Sequence, residues 1–285
     1  MALFQWHVLL IAVLVSCAAT IPGVFLVLRG VALMSDAISH ALLPGIVLMF
    51  LLVHRLDSPL LLCGATGVGM LTVICTEALI TMKHMKKDTA IGLVYPFFFA
   101  IGVILINRYA RNIHLDTDMV VLGEIAFAPF NIMQLGSVNC GPYALWLLSA
   151  IIIINSVFVW LFYKELVLAT FDPIAAHTMG FSPSKLHYAL MLLTSLTIVG
   201  AFDIVGSVVV VALTITPAAT AYLLTRTVKH MLSMSLVIAV TSAVTGYTWA
   251  YLADVSIAGA IATTGGILFI VVLCMHILHT GERVV

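Results

Sequence analysis

The chain has 285 residues, of which 63% are hydrophobic and only 8% are charged. A soluble domain carries about 25% charged residues, so this composition excludes a soluble protein and predicts one embedded in a bilayer. Twelve Lys and Arg balance twelve Asp and Glu, which excludes the basic surface typical of nucleic-acid binding.

Nine stretches are apolar enough to form transmembrane helices, which need about 20 residues to cross the hydrocarbon. They are residues 7–28, 33–53, 59–80, 89–107, 142–163, 187–202, 206–225, 230–252 and 257–279. Pro44 and Gly45 interrupt the second stretch, and the sixth and seventh are short, so incomplete crossing and a broken or re-entrant helix stay open. The predicted fold is an all-α polytopic membrane protein of eight or nine transmembrane helices, forming a single domain over residues 1–285.

Positive charge predicts the orientation of the spans, because Lys and Arg accumulate on the cytoplasmic side. Placing the region around residues 171–180 in the cytoplasm leaves residues 112–141 as an external loop, in which Pro129 and Gly141 suggest a short re-entrant piece. The side on which Arg29 lies depends on whether the second stretch crosses. The eight cationic residues assigned to the cytoplasm are Lys83, Lys86, Lys87, Lys164, Lys185, Arg226, Lys229 and Arg283, and the other four are Arg29, Arg55, Arg108 and Arg111.

The second stretch contains an acid and an imidazole, Asp36 and His40, four residues apart. Positions i and i+4 share one helix face, so the two side chains can reach the same small object. Ionisable groups at membrane depth are costly and usually mark a pathway or a site. Carboxylate oxygen and imidazole nitrogen suit Mn(II), Fe(II) or Zn(II). Judged by spacing alone, a metal site and a polar pair that only packs two helices together are equally favoured.

A short, well-capped helix is predicted between the fifth and sixth stretches, at residues 171–180. Asp172 is a favoured N-cap residue, Pro173 a favoured first helical residue, and Gly180 a favoured residue just past the end. Ala175 and Ala176 allow close approach of a partner, and Phe171 offers apolar contact. So short a helix must be held by packing, either in a partner's groove or as an ordinary surface loop. The residues by themselves favour the loop.

Two further groups of polar residues lie in apolar stretches. Thr214, Thr216 and Thr220 flank Pro217, and their hydroxyls either satisfy backbone groups freed by the proline or line a pathway; the first is favoured. Glu77 lies near the cytoplasmic end of the third stretch, where a side chain that snorkels or bonds between helices is favoured over a pathway role.

Several blocks of the sequence resemble one known family. They are residues 28–45, which include Asp36-Ala37-Ile38-Ser39-His40, then 88–92 with 100–102, 171–180, 206–221 with Thr216-Pro217-Ala218-Ala219-Thr220-Ala221, and more weakly 256–260. On these residues the chain resembles the membrane permease subunits of bacterial manganese, zinc and iron ATP-binding-cassette importers.

The resemblance implies the large-permease fold shared with cobalamin and siderophore importers, in the bacterial cytoplasmic membrane. It implies a second permease chain, two ATPase subunits and an extracytoplasmic metal-binding protein as partners, besides membrane lipid. Asp36 and His40 match the metal-handling positions, and residues 171–180 match the coupling helix. Mn²⁺, Zn²⁺ or Fe²⁺ is then the transported substrate, and no cofactor is permanently bound. The chain is a transport subunit rather than an enzyme.

Three other functions compete with an importer permease. No GxxxxGK[ST] motif occurs in the chain, so ATP must be bound by another subunit if it is used. A stand-alone proton-coupled secondary transporter, with Asp36 and His40 as a proton relay, is the main alternative. An intramembrane metalloprotease lacks its HExxH motif here, and a cobalamin or siderophore permease has little use for an Asp–His pair.

Overall fold

The computed structural model describes residues 2–54, 59–83, 85–109, 125–135 and 138–280. These residues form a helical bundle with one small hairpin of β1 (Ile132–Leu135) and β2 (Val138–Pro142). The helices are α1 (Ala2–Leu28), α2 (Leu33–Ala41), α3 (Leu43–Val53), α4 (Pro59–Lys83), α5 (Lys87–Tyr109), a 3₁₀ helix (Ala128–Phe130), α6 (Tyr143–Leu161), α7 (Tyr163–Phe171), α8 (Pro173–Thr178), α9 (Pro183–Val205), α10 (Ser207–Leu224), α11 (Val228–Ala253) and α12 (Ile257–Thr280).

Nine segments in the described ranges are long and apolar enough to cross a membrane, and α2 with α3 forms one of them. The prediction of an all-α bundle with eight or nine spans is confirmed. The interruption near Pro44 is slight, because Leu42 between α2 and α3 keeps helical backbone angles (φ −67°, ψ −30°). Pro44 lies in the first turn of α3, where its missing N–H has no intrahelical partner to lose.

The prediction of a short sixth span was wrong, because α9 runs for 23 residues from Pro183 to Val205. Its first two turns contain Lys185 and His187, polar residues that lower the local hydropathy. The helix continues through them because the His187 side chain is paired with polar groups of neighbouring segments.

The predicted external loop, residues 112–141, is only partly described: residues 112–124, 136 and 137 lie outside the described ranges. The described part contains a turn, the 3₁₀ helix and the hairpin, in which Leu135 pairs with Val138 and Ile132 with Pro142, and the re-entrant piece stays a prediction. Strands of four and five residues are too short to reveal a two-residue hydrophobic period, so the sequence pattern could not distinguish them from a loop.

The α1 helix is the centre of the bundle and its most buried span. It packs against α6, α9, α10 and α11, and side chains such as Ile11, Val15 and Phe25 are fully buried. The backbones of α1 and α10 approach each other closely at Gly23, where a Cβ atom would overlap the backbone carbonyl oxygen of Thr214. The missing side chain therefore sets the distance between these two helices.

A proline inside α1, Pro22, leaves the carbonyl of Ala18 without its helical N–H donor. The buried side chain of Asn155 on α6 donates to this carbonyl at 3.4 Å and to the Thr197 hydroxyl on α9 at 2.8 Å. Water is absent from the bilayer core, so a freed carbonyl needs such a donor from within the protein. Asn155 thus joins three helices at the point where α1 loses a backbone hydrogen bond.

The proline inside α10, Pro217, is compensated in the same way. It frees the carbonyl of Leu213, and the Thr20 hydroxyl of α1 lies 3.3 Å from that oxygen and 2.7 Å from the carbonyl oxygen of Ser16 in its own helix. The hydroxyl proton is therefore shared between a local and an interhelical acceptor.

The close approach of α1 and α10 gives a test of this packing. We expect Gly23→Ala to lower the melting temperature of the detergent-purified chain by several degrees, because overpacking costs about 1–3 kcal/mol. The matched control is Gly67→Ala, since a Cβ atom at Gly67 meets nothing within 4 Å. Equal melting temperatures for both variants, measured by differential scanning fluorimetry, would contradict the described packing.

Candidate metal site

The α2 helix is buried on every side except one narrow face. Its neighbours are α4, α5, α9 and α10. The side chains of this helix that remain accessible follow the spacing i, i+3 and i+7, which is one helix face. They are Leu33, Asp36 and His40, whereas Met34, Ser35, Ala37, Ile38, Ser39 and Ala41 are buried.

Asp36 and His40 contact one another on this open face. The Oδ1 atom of Asp36 lies 3.4 Å from Nε2 of His40, and the two side chains are 39% and 36% exposed. The ring of Tyr95 on α5 lies beside the imidazole, with 6.0 Å between ring centroids. Both polar side chains therefore keep an accessible surface from which a further ligand or ion can be reached.

The pair lies near the middle of the bundle rather than at a membrane surface. Tyr95 is close to the midpoint of α5, and Ile38, between the two polar residues, packs where Gly69 of α4 and Ser195 of α9 meet. Both of those residues are central in their helices. An acid and an imidazole at this depth are expensive, which favours a functional role over incidental packing.

The neighbouring hydroxyls of α2, those of Ser35 and Ser39, are buried and bond to nearby carbonyls. The hydroxyl of Ser35 donates to the Ala32 carbonyl, and that of Ser39 donates to the Asp36 carbonyl, each at 2.8 Å. Throughout the described part of the chain, no group of three His, Cys, Asp or Glu side chains comes together. One chain therefore contributes a carboxylate and an imidazole, two of the four ligands of a typical closed zinc site.

The predicted coupling segment, residues 171–180, contains α8 and both of its caps. The Asp172 carboxylate accepts a hydrogen bond from the Ala175 amide at 2.9 Å, and Pro173 is the first helical residue. At the other end, Gly180 has φ +87°, and its amide and that of Phe181 donate to the carbonyls of His177 and Ala176. This Schellman pattern ends the helix after six residues.

The coupling segment has one buried and one exposed side. Ala176 is fully buried, and Ala175 is partly so. The exposed residues include three apolar side chains: Phe171, at the end of α7, and Met179 are exposed, and Ile174 is 77% exposed. The polar Asp172, His177 and Thr178 are exposed beside them. Exposed apolar groups on so short a helix form a surface that a partner can cover.

The threonines near Pro217 lie in α10, which contacts α1, α2 and α12. Thr214 and Thr220 are buried, and their hydroxyls donate at 2.7 Å to the carbonyls of Val210 and Thr216 in the same helix. Pro217 frees the carbonyl of Leu213, which accepts from Thr20 of α1. The prediction that these hydroxyls satisfy backbone groups freed by the proline was therefore wrong for Thr214 and Thr220, because their nearest acceptors lie one turn earlier in the helix. The side chain of Thr216 packs near Gly265 of α12.

A polar cluster that the sequence pattern did not reveal lies beside the coupling segment. Nε of Arg29 donates to the Thr170 hydroxyl at 3.1 Å, and Nη1 donates to Nδ1 of His187 at 3.0 Å. Nε2 of His187 lies 3.2 Å from Oε1 of Glu77, and Nζ of Lys87 donates to the Arg29 carbonyl at 3.1 Å. We call these five residues the Arg29 cluster. Four of them look ordinary in sequence, and the only signal that could have found them is their polarity beside apolar stretches. Glu77 was expected to snorkel or to bond between helices, and it lies beside His187 of α9.

The cluster also places Arg29 at the same end of the bundle as Lys87 and Thr170. This agrees with nine spans rather than eight. Of the twelve Lys and Arg residues, only Arg55, Arg108 and Arg111 then remain assigned to the other side, which strengthens the charge bias.

The cap of α8 gives a test of the coupling segment's local structure. We expect Asp172→Ala to speed hydrogen exchange at the Ala175 amide several-fold, because losing an N-cap costs about 1 kcal/mol. Asp172→Asn is the control, because asparagine caps equally well. Exchange is measured by mass spectrometry on peptides covering residues 172–181, and equal protection in the alanine variant and wild type would contradict the cap.

Comparison with known proteins places this geometry in a family context. The ABC 3 transport family model matches residues 1–276. The zinc transport system membrane protein TroD of Treponema pallidum is 47% identical, over 97% of this chain and 75% of its own length. The manganese transport system membrane protein MntD of Bacillus subtilis is 42% identical, over 93% of this chain and 90% of its own.

A solved structure is similar as well. PsaBC from Streptococcus pneumoniae, determined in complex with Fab, superposes with a TM-score of 0.78 at 32% sequence identity, covering 94% of this chain and 90% of that one. The similarity therefore extends over almost the whole chain.

Proposed function

Because the chain belongs to the ABC 3 transport family, whose members are membrane-spanning transport permeases, we propose that it carries Mn²⁺, Zn²⁺ or Fe²⁺ into the bacterial cytoplasm through a site containing Asp36 and His40. The chain is then the permease subunit of an ATP-binding-cassette importer in the cytoplasmic (inner) membrane, and its partners hydrolyse the ATP.

One observation carries the proposal. Asp36 and His40 are the only polar side chains on the one open face of a helix that is otherwise buried at mid-depth. A pair needed only for packing would be enclosed by the neighbouring helices, whereas a transport site must stay accessible to its ion. Their atoms suit a borderline divalent metal.

A second permease chain completes the site in this proposal. Two copies of Asp36 and His40 facing each other across a symmetry axis would supply two carboxylates and two imidazoles. Four such ligands suit a divalent transition metal. The site must release its ion, so we expect moderate affinity, and the open faces allow that release. An identical chain or a close paralogue provides the same residue types.

In this proposal the coupling segment is where the ATPase subunits act on the permease. The exposed apolar side chains of Phe171, Ile174 and Met179 fit a groove on an ATPase subunit, and the buried Ala176 faces the rest of the permease. Closure of two ATPase subunits on ATP would then move α8 and tilt the helices packed against it. An extracytoplasmic metal-binding protein delivers the ion to the opposite end.

The alternative is a proton-coupled secondary transporter that works alone. In that function the Asp36–His40 contact relays protons and the coupling segment needs no partner. The exposed apolar groups of α8 favour the importer, because a solitary transporter gains nothing from them. Metal uptake that requires ATP and a copurifying ATPase separates the two functions.

Removal of either site residue should abolish transport. We expect Asp36→Ala and His40→Ala to reduce uptake of ⁵⁴Mn²⁺ into vesicles holding permease and ATPase by at least tenfold, because each removes a ligand. Leu33→Ala, on the same helix face, is the matched control and should transport normally. Competition by Zn²⁺ and Fe²⁺ ranks the metals. Wild-type uptake in either site variant, with assembly intact, would contradict the site.

The apolar side of the coupling segment should determine assembly. We expect Ile174→Asp to abolish copurification of the ATPase, because a charge replaces an exposed apolar contact, while the melting temperature of the permease alone stays unchanged. Ile174→Leu keeps the contact and should assemble normally. Retention of the ATPase by the aspartate variant would argue against this docking surface.

A further inference from the structure

We propose that the Arg29 cluster ties the coupling segment to the metal-site helix, and that Arg29, His187 and Glu77 are positioning residues for transport. This inference rests on the proposed function, and it assigns to these residues the transmission of movement from α8 to α2.

The cluster joins five segments of the chain at one point. Arg29 lies between α1 and α2, Thr170 is in the last turn of α7 immediately before the coupling segment, and His187 is in α9. Glu77 comes from α4 and Lys87 from the start of α5. Three of these helices, α4, α5 and α9, also contact α2.

The donors and acceptors in the cluster have fixed directions. A guanidinium can only donate, so Nδ1 of His187 must accept from Arg29. The proton of the neutral ring is then on Nε2, which lies 3.2 Å from the Glu77 carboxylate but is not aligned for a linear hydrogen bond. Cation and carboxylate thus hold the ring from opposite sides. The Thr170 hydroxyl accepts from Arg29 and donates to the Leu166 carbonyl at 2.6 Å.

Burial makes the cluster costly to break. Most of the Arg29 side chain is enclosed, and its Nη2 atom is buried with no hydrogen-bond partner among the described residues. Burial also lowers the pKa of the Arg29 guanidinium from its usual value. Separating a buried charge from its partners leaves it uncompensated, which is strongly unfavourable. Segments held by such a group are therefore expected to move together.

The connection towards the coupling segment is rigid. Leu166 of α7 is fully buried in an apolar cluster with Phe25 of α1, Val159 of α6 and Leu190 of α9. Since α8 follows α7 after the single residue Asp172, displacement of α8 must pull on this packed helix and on Thr170 at its end.

The connection towards the metal site is equally short. The amides of Gly30 and Val31 donate to the carbonyls of Val27 and Leu26, a Schellman pattern in which Gly30 has φ +62°. The amide of Met34 donates to the carbonyl of Val31, and this bond already belongs to the first turn of α2. Little slack therefore exists between Arg29 and Asp36.

The experiment measures the number of Mn²⁺ ions moved per ATP hydrolysed, in vesicles containing permease and ATPase. We expect Arg29→Gln and Glu77→Gln to lower this ratio at least tenfold while ATP hydrolysis continues. Thr170→Val, nearly isosteric, should lower it in the same direction. Mn²⁺ binding to the assembled transporter and the melting temperature should match wild type, because Asp36, His40 and the apolar packing are untouched.

Lys185→Gln is the matched control, because Lys185 is exposed in the first turn of α9 and its loss removes a cation at the same end. A wild-type number of Mn²⁺ ions moved per ATP in both Arg29→Gln and Thr170→Val would overturn the proposed role of the Arg29 cluster. Parallel loss of Mn²⁺ binding and melting temperature in both variants would also overturn it, since that result indicates a purely structural role. An Asp36→Ala arm tests the proposed function separately, because uptake that survives there contradicts the site and not the role of the Arg29 cluster.

Discussion

The absence of water from the hydrocarbon core is the constraint on which this structure depends. Each polar group inside the bundle must find its partner within the protein or lie where function requires it to be accessible. Buried hydroxyls follow this rule by bonding to carbonyls of their own helices, as Ser16, Thr76 and Thr194 do. The carbonyls of Ala18 and Leu213, which Pro22 and Pro217 free, follow it through donors on neighbouring helices.

Against this background the Asp36–His40 pair is distinctive. The helix around it is buried on all other sides, yet the acid and the imidazole are each more than one-third exposed. Exposed hydroxyls near the middle of α11, those of Thr241 and Thr245, bond to carbonyls of their own helix, whereas the acid and the imidazole are ionisable and stay open to a further partner. Keeping an ionisable pair at this depth costs free energy. A divalent cation passing through the site would offset this cost, because the metal supplies the compensating charge.

Two parts of the bundle have different roles in the proposed mechanism: the closely packed helices around α1 stay fixed, and the segments between α8 and α2 transmit movement. The fixed part is centred on α1, where small and apolar residues allow close packing and Asn155 joins three helices. The transmitting part runs from α8 through α7 to the Arg29 cluster, and from there along a tight turn into α2. Rigid short links at both ends suit the transmission of a small displacement better than flexible loops do, because little of the movement is lost in them.

Local sequence features determined much of what this protein is. The number and approximate position of the spans followed from apolar length, since a bilayer of fixed thickness demands it. The shared face of Asp36 and His40 followed from helical periodicity, and the caps of α8 from the local preferences of Asp172, Pro173 and Gly180. Each of these features depends on residues within one or two helical turns of one another.

Only the tertiary structure decided which distant residues meet. Arg29 bonds to residues 141 and 158 positions away, and Asn155 reaches a carbonyl 137 positions away. Hydrophobic period and capping preference act over a few residues, whereas these pairings arise from how helices pack, and no local pattern encodes that packing.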